Sequence, residues 1–479
     1  MTPRLRLLTA ALLPILSLAG CSDGAPNSDE PWAQASAAEP IIAPGGLTDP
    51  RIRGVWQSRG YGWVLDIDDA GITRYQAGAA CYAPQRGETS LSEMDSVSYR
   101  LFREVDPETV VILQLLEGDT QVVFDRLESL PAHCTKAPDT SPTGVVEAFL
   151  DHFESHYAFF DRRPPGHEER AARLRAQITE GMDEAALWDA LGSYMEGLSD
   201  SHTKLIGEVE GEGRRIADGQ GITLPRMRGS EGGEGAWLFG LIGQTLNELG
   251  ETARHEANDR IVWGVIDGRI GYIQIFVMGG FSDNSNFASA AWAEAEMAEL
   301  NRVLDEALTA FADLDAVIID LSNNRGGWDQ VAKALPARFT DEAFTAFTTQ
   351  ARGSGLAPFA HVIEPASGPR FTGPTYVMTS DVTVSGGELA TLAFRQLPNV
   401  TQVGSTTRGA FSTPLAKPLP NGWLLELSNE VFAAPDGSVF EETGLEPEVE
   451  IEIYPADDPI GGHWRAVEQI ADIALGSAN

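Results

Sequence analysis

Two apolar runs constrain this chain more than any other feature. Ala316-Val317-Ile318-Ile319-Asp320-Leu321 and Thr375-Tyr376-Val377-Met378-Thr379 each pass through a short polar turn into a helical stretch. A run that is apolar at nearly every position, rather than at every second one, has to bury both of its faces. That requirement points to a mostly parallel sheet with helices packed on either side. Gly271–Ile275 reads as a further strand and Ala290–Ala312 as a helix, so strands and helices alternate from Ile261 onward. In sheets of this kind ligand chemistry collects at the carboxyl ends of the strands. The turns Ser322–Trp328 and Ser380–Gly387 occupy that place.

The rest of the chain divides by pattern. Residues 50–136 alternate apolar and polar positions in short runs such as Gly62–Asp68 and Val110–Leu113, the signature of a small β-rich domain. Residues 143–260 begin with helical spacing in Val145–Phe153 and Ala185–Leu191. They then pass into a Gly- and charge-rich stretch, 208–236, that reads as a loop or linker. The α/β core spans 261–455, and 456–479 reads as a C-terminal helix.

The start of the chain reads as an address. Residues 1–20 carry Arg4 and Arg6, an apolar run from Leu7 to Leu18 and no acid, which is the layout of a secretory signal. The run is shorter than the roughly 20 residues a membrane span needs. It closes on Leu18-Ala19-Gly20-Cys21, similar to a bacterial lipobox, so Cys21 is expected to be lipidated. Residues 21–49 read as a flexible tether. Ser22 after the cysteine favours the outer membrane, facing the periplasm. Cys81 and Cys134 are then the two cysteines left in an oxidising compartment, and they are expected to pair as a disulfide.

Composition excludes partners more readily than it assigns an activity. With 70 acidic against 34 basic residues the formal net charge is −36. Such a chain repels phosphate backbones, so no nucleic-acid partner is expected, and membrane contact is confined to the lipid anchor.

Four short segments carry groups that chemistry could use. Thr383-Val384-Ser385-Gly386-Gly387-Glu388 places a serine between a buried strand and a helix. There Ser385 fits a capping box with Glu388. The other reading is a nucleophile whose oxyanion meets the free N–H groups of the helix, and on this segment alone capping is the stronger of the two. Asp320-Leu321-Ser322-Asn323-Asn324-Arg325-Gly326-Gly327 ends a strand in paired glycines, either a plain turn or backbone N–H groups offered to a ligand. Leu198-Ser199-Asp200-Ser201-His202-Thr203 supplies a histidine, and Phe440-Glu441-Glu442-Thr443-Gly444-Leu445-Glu446-Pro447 supplies acids. His152 and His156, four apart on a helix, share a face that could hold zinc or simply pack.

Taken together and in this order, the four segments resemble the C-terminal-processing (tail-specific) serine peptidases, in the branch that includes the tricorn core. The resemblance covers about residues 145–455. It implies a crotonase-like ββα core, with a helical subdomain before it and the small N-terminal β domain outside it. It makes Ser385 the nucleophile, with the backbone N–H of Gly386 and of Gly326 or Gly327 forming the oxyanion hole, and it implies no metal and no cofactor. One branch of the family uses a lysine base just after a Gly-x-x-Thr-x-Gly turn. Here that turn is Gly404–Gly409, the next residue is Ala410, and the nearest lysine is Lys417. The tricorn-type tetrad matches instead, with His202 as general base and Ser201 and Glu441 as its supports. The 58 or so residues between His202 and Ile261 are too few and too irregular for a PDZ module. The function implied is an envelope serine endopeptidase acting on peptides or unfolded proteins. A non-catalytic binding module for apolar ligands or peptides on the same fold is the alternative.

Overall fold

In the computed structural model the two apolar runs are adjacent parallel strands, Ala316–Asp320 and Thr375–Thr379, at the centre of a seven-stranded sheet. The sheet order is Arg254–Glu256, Ile261–Ile266, Ile270–Ile275, Ala316–Asp320, Thr375–Thr379, Val400–Gly404 and Val449–Glu450. The first three strands pair antiparallel, and every pairing after Ile270–Ile275 is parallel. The structure describes residues 30–43, 45–69, 71–83, 100–113, 120–163, 166–285 and 289–476. The signal segment and Cys21 lie outside these residues.

The period of two explains why the central runs are apolar throughout. Val317 and Ile319 face a core shared with the helix Ala290–Ala310 and the helix Gly386–Phe394. Ile318 faces the opposite core, with the helices Gly233–Leu249 and Pro459–Ala474. Burying such side chains contributes about 1.5–3 kcal/mol apiece, so neither face tolerates a polar residue without a partner. The fold is α/β.

Two sequence expectations need correction. Within the stretch read as a tether, Trp32, Ile41 and Thr48 are buried. Trp32 sits edge-on to Phe359 with ring centroids 5.4 Å apart, Ile41 is fully buried, and Glu39–Pro40 joins the edge of the N-terminal sheet. A tryptophan and an isoleucine spaced through polar sequence carry no period to read, yet each finds an apolar partner far along the chain. Within 208–236, read as a loop or linker, a strand Glu212–Ala217 pairs with Lys204–Val209 across a two-residue turn. Glu210 and Gly211 both take positive φ there, as a tight hairpin of this type requires. The helices Thr223–Arg228 and Gly233–Leu249 follow.

The hairpin matters because its partner comes from the far end of the chain. Lys204–Val209 also pairs with Leu424–Ser428, which pairs with Pro414–Pro418. This four-stranded sheet draws the His202 turn against the segment that follows Gly404. The N-terminal domain is an eight-stranded antiparallel sheet running from Glu39 to Leu127. Cys81 and Cys134 form a disulfide with their Cα atoms 4.4 Å apart, tying the strand Cys81–Tyr82 to the turn before the first helix of the helical subdomain.

Candidate active site

Ser385 stands where the strand Thr375–Thr379 gives way to the helix Gly386–Phe394, with φ +57° and ψ −122°. These are the angles of the first central residue of a type II′ turn, a position that favours glycine. Holding serine there costs about 1–3 kcal/mol and persists only where the surroundings over-determine it. The surroundings do so. Thr383 Oγ1 donates to the Leu321 carbonyl (2.8 Å), Ser380 Oγ to the Ser322 carbonyl (2.5 Å), and the Val384 N–H to the Asn324 carbonyl (3.2 Å). The two turns flagged by the sequence are stitched into one unit.

Gly326 and Gly327 lie directly against the serine. A Cβ at Gly326 would stand 2.6 Å from Ser385 Cβ, and one at Gly386 would stand 3.2 Å from the Gly327 nitrogen. Both glycines of the pair take positive φ. The Gly326 N–H is spent on Asn324 Oδ1 at 2.9 Å, whose amide nitrogen in turn donates to the Ile275 carbonyl. Among the described residues neither the Gly327 nor the Gly386 N–H has an acceptor. Of the donors expected from sequence, these two remain free for an oxyanion.

Glu388, the last residue of the Thr383–Glu388 segment, does more than cap. Its carboxylate accepts from the Ser385 N–H (3.2 Å), Thr407 Oγ1 (2.6 Å), the Gly409 N–H (2.6 Å) and the Ala410 N–H (2.8 Å). Burial pushes its pKa up, and these donors oppose that shift. The result fixes the strip Thr407–Ser412 onto the helix that carries Ser385, and the Ser385 N–H donates to the Ala410 carbonyl (3.1 Å).

His202 and Glu441 meet the same strip. Glu441 Oε2 accepts from the N–H groups of Phe411 (2.9 Å) and Ser412 (3.1 Å). The His202 ring is buried, and the backbone of Ser412 adjoins it. Burial holds the imidazole down at about 4; the Asp200 carboxylate opposes this, and the charges of Lys204 and Arg408 add to it. His202 is therefore a neutral base at neutral pH. Burial and then the nearby Asp200 charge push the Glu441 carboxyl well above its usual range. Ser385, His202 and Glu441 are thus gathered around residues 409–412. Among the described residues they make no direct hydrogen bonds to one another, and Ser201 Oγ donates to the Gly219 carbonyl rather than to the ring.

Two supporting residues escaped the sequence reading. Asp200 accepts from the N–H groups of His202 (2.9 Å) and Thr203 (3.2 Å), and from Tyr157 Oη and Ser428 Oγ (both 3.0 Å). Arg163 Nη1 donates to the carbonyls of Leu198 (2.9 Å) and Ser199 (3.1 Å), while its Nη2 lies 3.8 Å from Glu441 Oε1. Asp200 precedes the histidine by two residues, a spacing that signals an Asx turn. Nothing local marks Arg163.

Two other candidates fall elsewhere. Lys417 is buried at the N-terminal domain, where its Nζ donates to the carbonyls of Tyr61 and Gly62. His152 and His156 are buried beside it with ring centroids 6.3 Å apart, and His152 Nε2 meets Tyr82 Oη at 3.1 Å. They pack and form no metal-ligating group among the described residues. The one cluster of metal-ligand type there, Cys81, His133 and Cys134, contains the disulfide.

Residues 269–451 match the model of peptidase family S41. The chain carries an S41 peptidase domain. The match covers the strand Ile270–Ile275, both stitched turns, Ser385 and Glu441, and stops short of the His202 turn. Over 136 residues the chain is 26% identical to the carboxy-terminal processing protease CtpA of Bacillus subtilis (strain 168). That stretch is 28% of each protein, so the chain spans little more than a quarter of the curated relative it matches. A crystal structure from Parabacteroides merdae ATCC 43184 superposes with a TM-score of 0.57 at 21% identity, covering 71% of this chain and all of that one. The likeness therefore extends beyond the S41 domain into the flanking regions of the fold.

Proposed function

We propose that this chain is a serine endopeptidase that hydrolyses peptides or unfolded proteins through an acyl-enzyme. The observation that carries the reading is Ser385. It is a serine held in a conformation that favours glycine, at a helix N-terminus, with the unused N–H groups of Gly327 and Gly386 beside it. Ser385 Oγ attacks the scissile carbonyl, and His202 takes its proton as substrate binding brings the ring onto the hydroxyl. The two N–H groups receive the oxyanion. His202 returns the proton to the leaving amine, and water then repeats the sequence on the ester. Glu441 and Ser201 act as positioning residues. The first fixes the 411–412 backbone, and the second fixes the turn that carries His202.

The test is labelling by a serine-reactive phosphonate, read beside hydrolysis of a peptide pool. Ser385→Ala should abolish both, and His202→Ala should cut both by about a thousandfold. Unchanged labelling and hydrolysis in His202→Ala would overturn the mechanism. Binding of apolar fluorophores with no hydrolysis of any peptide would favour a binding module instead. We place the enzyme at the cell envelope on the leader, as a lipoprotein anchored through Cys21 and facing the periplasm. Incorporation of labelled fatty acid that is lost in Cys21→Ala tests that placement.

A further inference from the structure

A pocket of about 540 Å³ is lined in part by Phe276, Val277, Gly279, Asn323 and Arg325, so its wall includes residues of the turn that carries Gly326 and Gly327. The segment after the strand Ile270–Ile275 runs alongside the Gly326-Gly327 turn. The Arg325 N–H donates to the Phe276 carbonyl (3.0 Å), the Met278 N–H to the Gly326 carbonyl (2.7 Å), and the Trp328 N–H to the Met278 carbonyl (2.7 Å). A carbonyl held at Gly327 and Gly386 therefore sets a neighbouring part of the substrate over this pocket.

Phe276, Leu238 and Trp292 supply apolar walls, and Arg260, Asn323 and Arg325 place donors among them. Asn323 is 2% exposed. Its Oδ1 accepts from Arg325 Nε (3.0 Å), while its Nδ2 has no partner among the described residues. The exposed guanidinium of Arg260 has no ion-pair partner among them either, and its Nε lies 3.5 Å from where a Cβ on Gly280 would sit. Arg325 shares Glu234 with Arg228, each at 2.6 Å. The pocket lining thus carries two guanidiniums, Arg260 and Arg325, against the single carboxylate of Glu234, in a chain whose net charge is −36.

We infer that this pocket is a substrate subsite for a carboxylate, held between Arg260, the Asn323 amide and Arg325, so that the enzyme selects peptides bearing an acidic group next to the scissile bond. The inference rests on the peptidase reading for its biological meaning, and its test is separable from that reading. An acidic side chain and the free C-terminal carboxylate of a short peptide offer the same chemistry. Two peptide pairs tell them apart: one differing only by Glu against Gln at an internal position, the other only by a free or amidated C-terminus.

Binding of each fluorescent peptide to the full-length Ser385→Ala protein is measured by anisotropy, alongside turnover by the unmodified enzyme. The expected result is about tenfold tighter binding of the anionic member of one pair, weakening at about 1 M salt. Arg260→Gln should erase most of that preference without loss of fold, since Arg260 is exposed. Glu234→Gln, which releases Arg325 from its carboxylate, should enlarge it. Equal binding of both members in both pairs, no measurable binding, or a preference indifferent to Arg260→Gln overturns the subsite. A preference without any hydrolysis sinks the peptidase reading alone, and hydrolysis without a preference sinks the subsite alone.

Discussion

At the scale of single residues, the angles of Ser385 make a prediction that chemistry alone would not. If its backbone is strained, glycine relieves the strain and alanine does not. Strain of about 1–3 kcal/mol, less the roughly 0.5–1 kcal/mol of entropy glycine adds to the unfolded chain, should leave Ser385→Gly about 1 kcal/mol more stable than Ser385→Ala in urea denaturation. Equal stabilities would mean the turn holds Ser385 without cost. His202 makes the second residue-scale prediction. As a base depressed to about 4 by burial, it loses its proton-accepting form only in strong acid. The acid limb of kcat/KM should therefore fall near pH 4 rather than near the ordinary histidine value of about 6.5. Arg408→Gln removes one of the charges that disfavour the imidazolium, so the limb should move upward. Ser385, His202 and Glu441 stand out in the sequence as candidates because each sits in a compact polar turn with neighbours at fixed offsets. Arg163 does not, because what makes it matter is two carbonyls and a carboxylate at positions 198, 199 and 441.

At the scale of elements, the central sheet was legible for a physical reason: strands buried on both faces must be apolar throughout, and the helices covering them must be amphipathic. The His202 hairpin was not. Glu212–Ala217 reads Glu-Gly-Arg-Arg-Ile-Ala, which has little β character of its own, and it is a strand because Lys204–Val209 is fixed by Leu424–Ser428 on its other edge. Tertiary pairing overrode weak local preference. The candidate site depends on a similar long-range tie, the buried carboxylate of Glu388 between the helix Gly386–Phe394 and the strip Thr407–Ser412. Glu388→Ala strands the N–H groups of Gly409 and Ala410 and the Thr407 hydroxyl, and should cost about 2–4 kcal/mol by urea denaturation. Glu388→Gln keeps the shape but can offer only its carbonyl oxygen as an acceptor, so it should retain more of the stability. Since both His202 and Glu441 reach Ser385 through that strip, turnover should fall in both variants. A Glu388→Ala protein with unaltered stability would show that the strip is held by other contacts.

At the scale of the whole molecule, the N-terminal domain is wired to the site rather than merely appended to it. Tyr61 Oη donates to Glu430 Oε1 (2.5 Å), and the Glu430 N–H donates to Ser412 Oγ (3.0 Å), on the strip beside His202. The same junction buries Lys417, whose Nζ donates to the carbonyls of Tyr61 and Gly62 and to Gln76 Oε1. Burial, with the charge of Arg74 adding to it, holds this amine well below the usual lysine range, with Asp151 opposing. The sign of the consequence follows from linkage. Below the ordinary lysine value the unfolded chain takes a proton that the folded junction refuses, so the stability Lys417 contributes is lost as pH falls. The loss is about 1.4 kcal/mol per pH unit until the folded pKa is reached. Lys417→Met forfeits the hydrogen bonds of Nζ at every pH but carries no such slope, so the other titrating groups cancel in the comparison. Below the ordinary lysine value, and until the folded amine itself takes up a proton, the stability of Lys417→Met relative to the unmodified protein should therefore rise by roughly 1.4 kcal/mol for each unit of acidification. Urea denaturation followed by far-UV circular dichroism reads the difference directly. A difference that stays flat across this range would mean that Lys417 enters the junction as an ammonium, its charge met by the carbonyls of Tyr61 and Gly62.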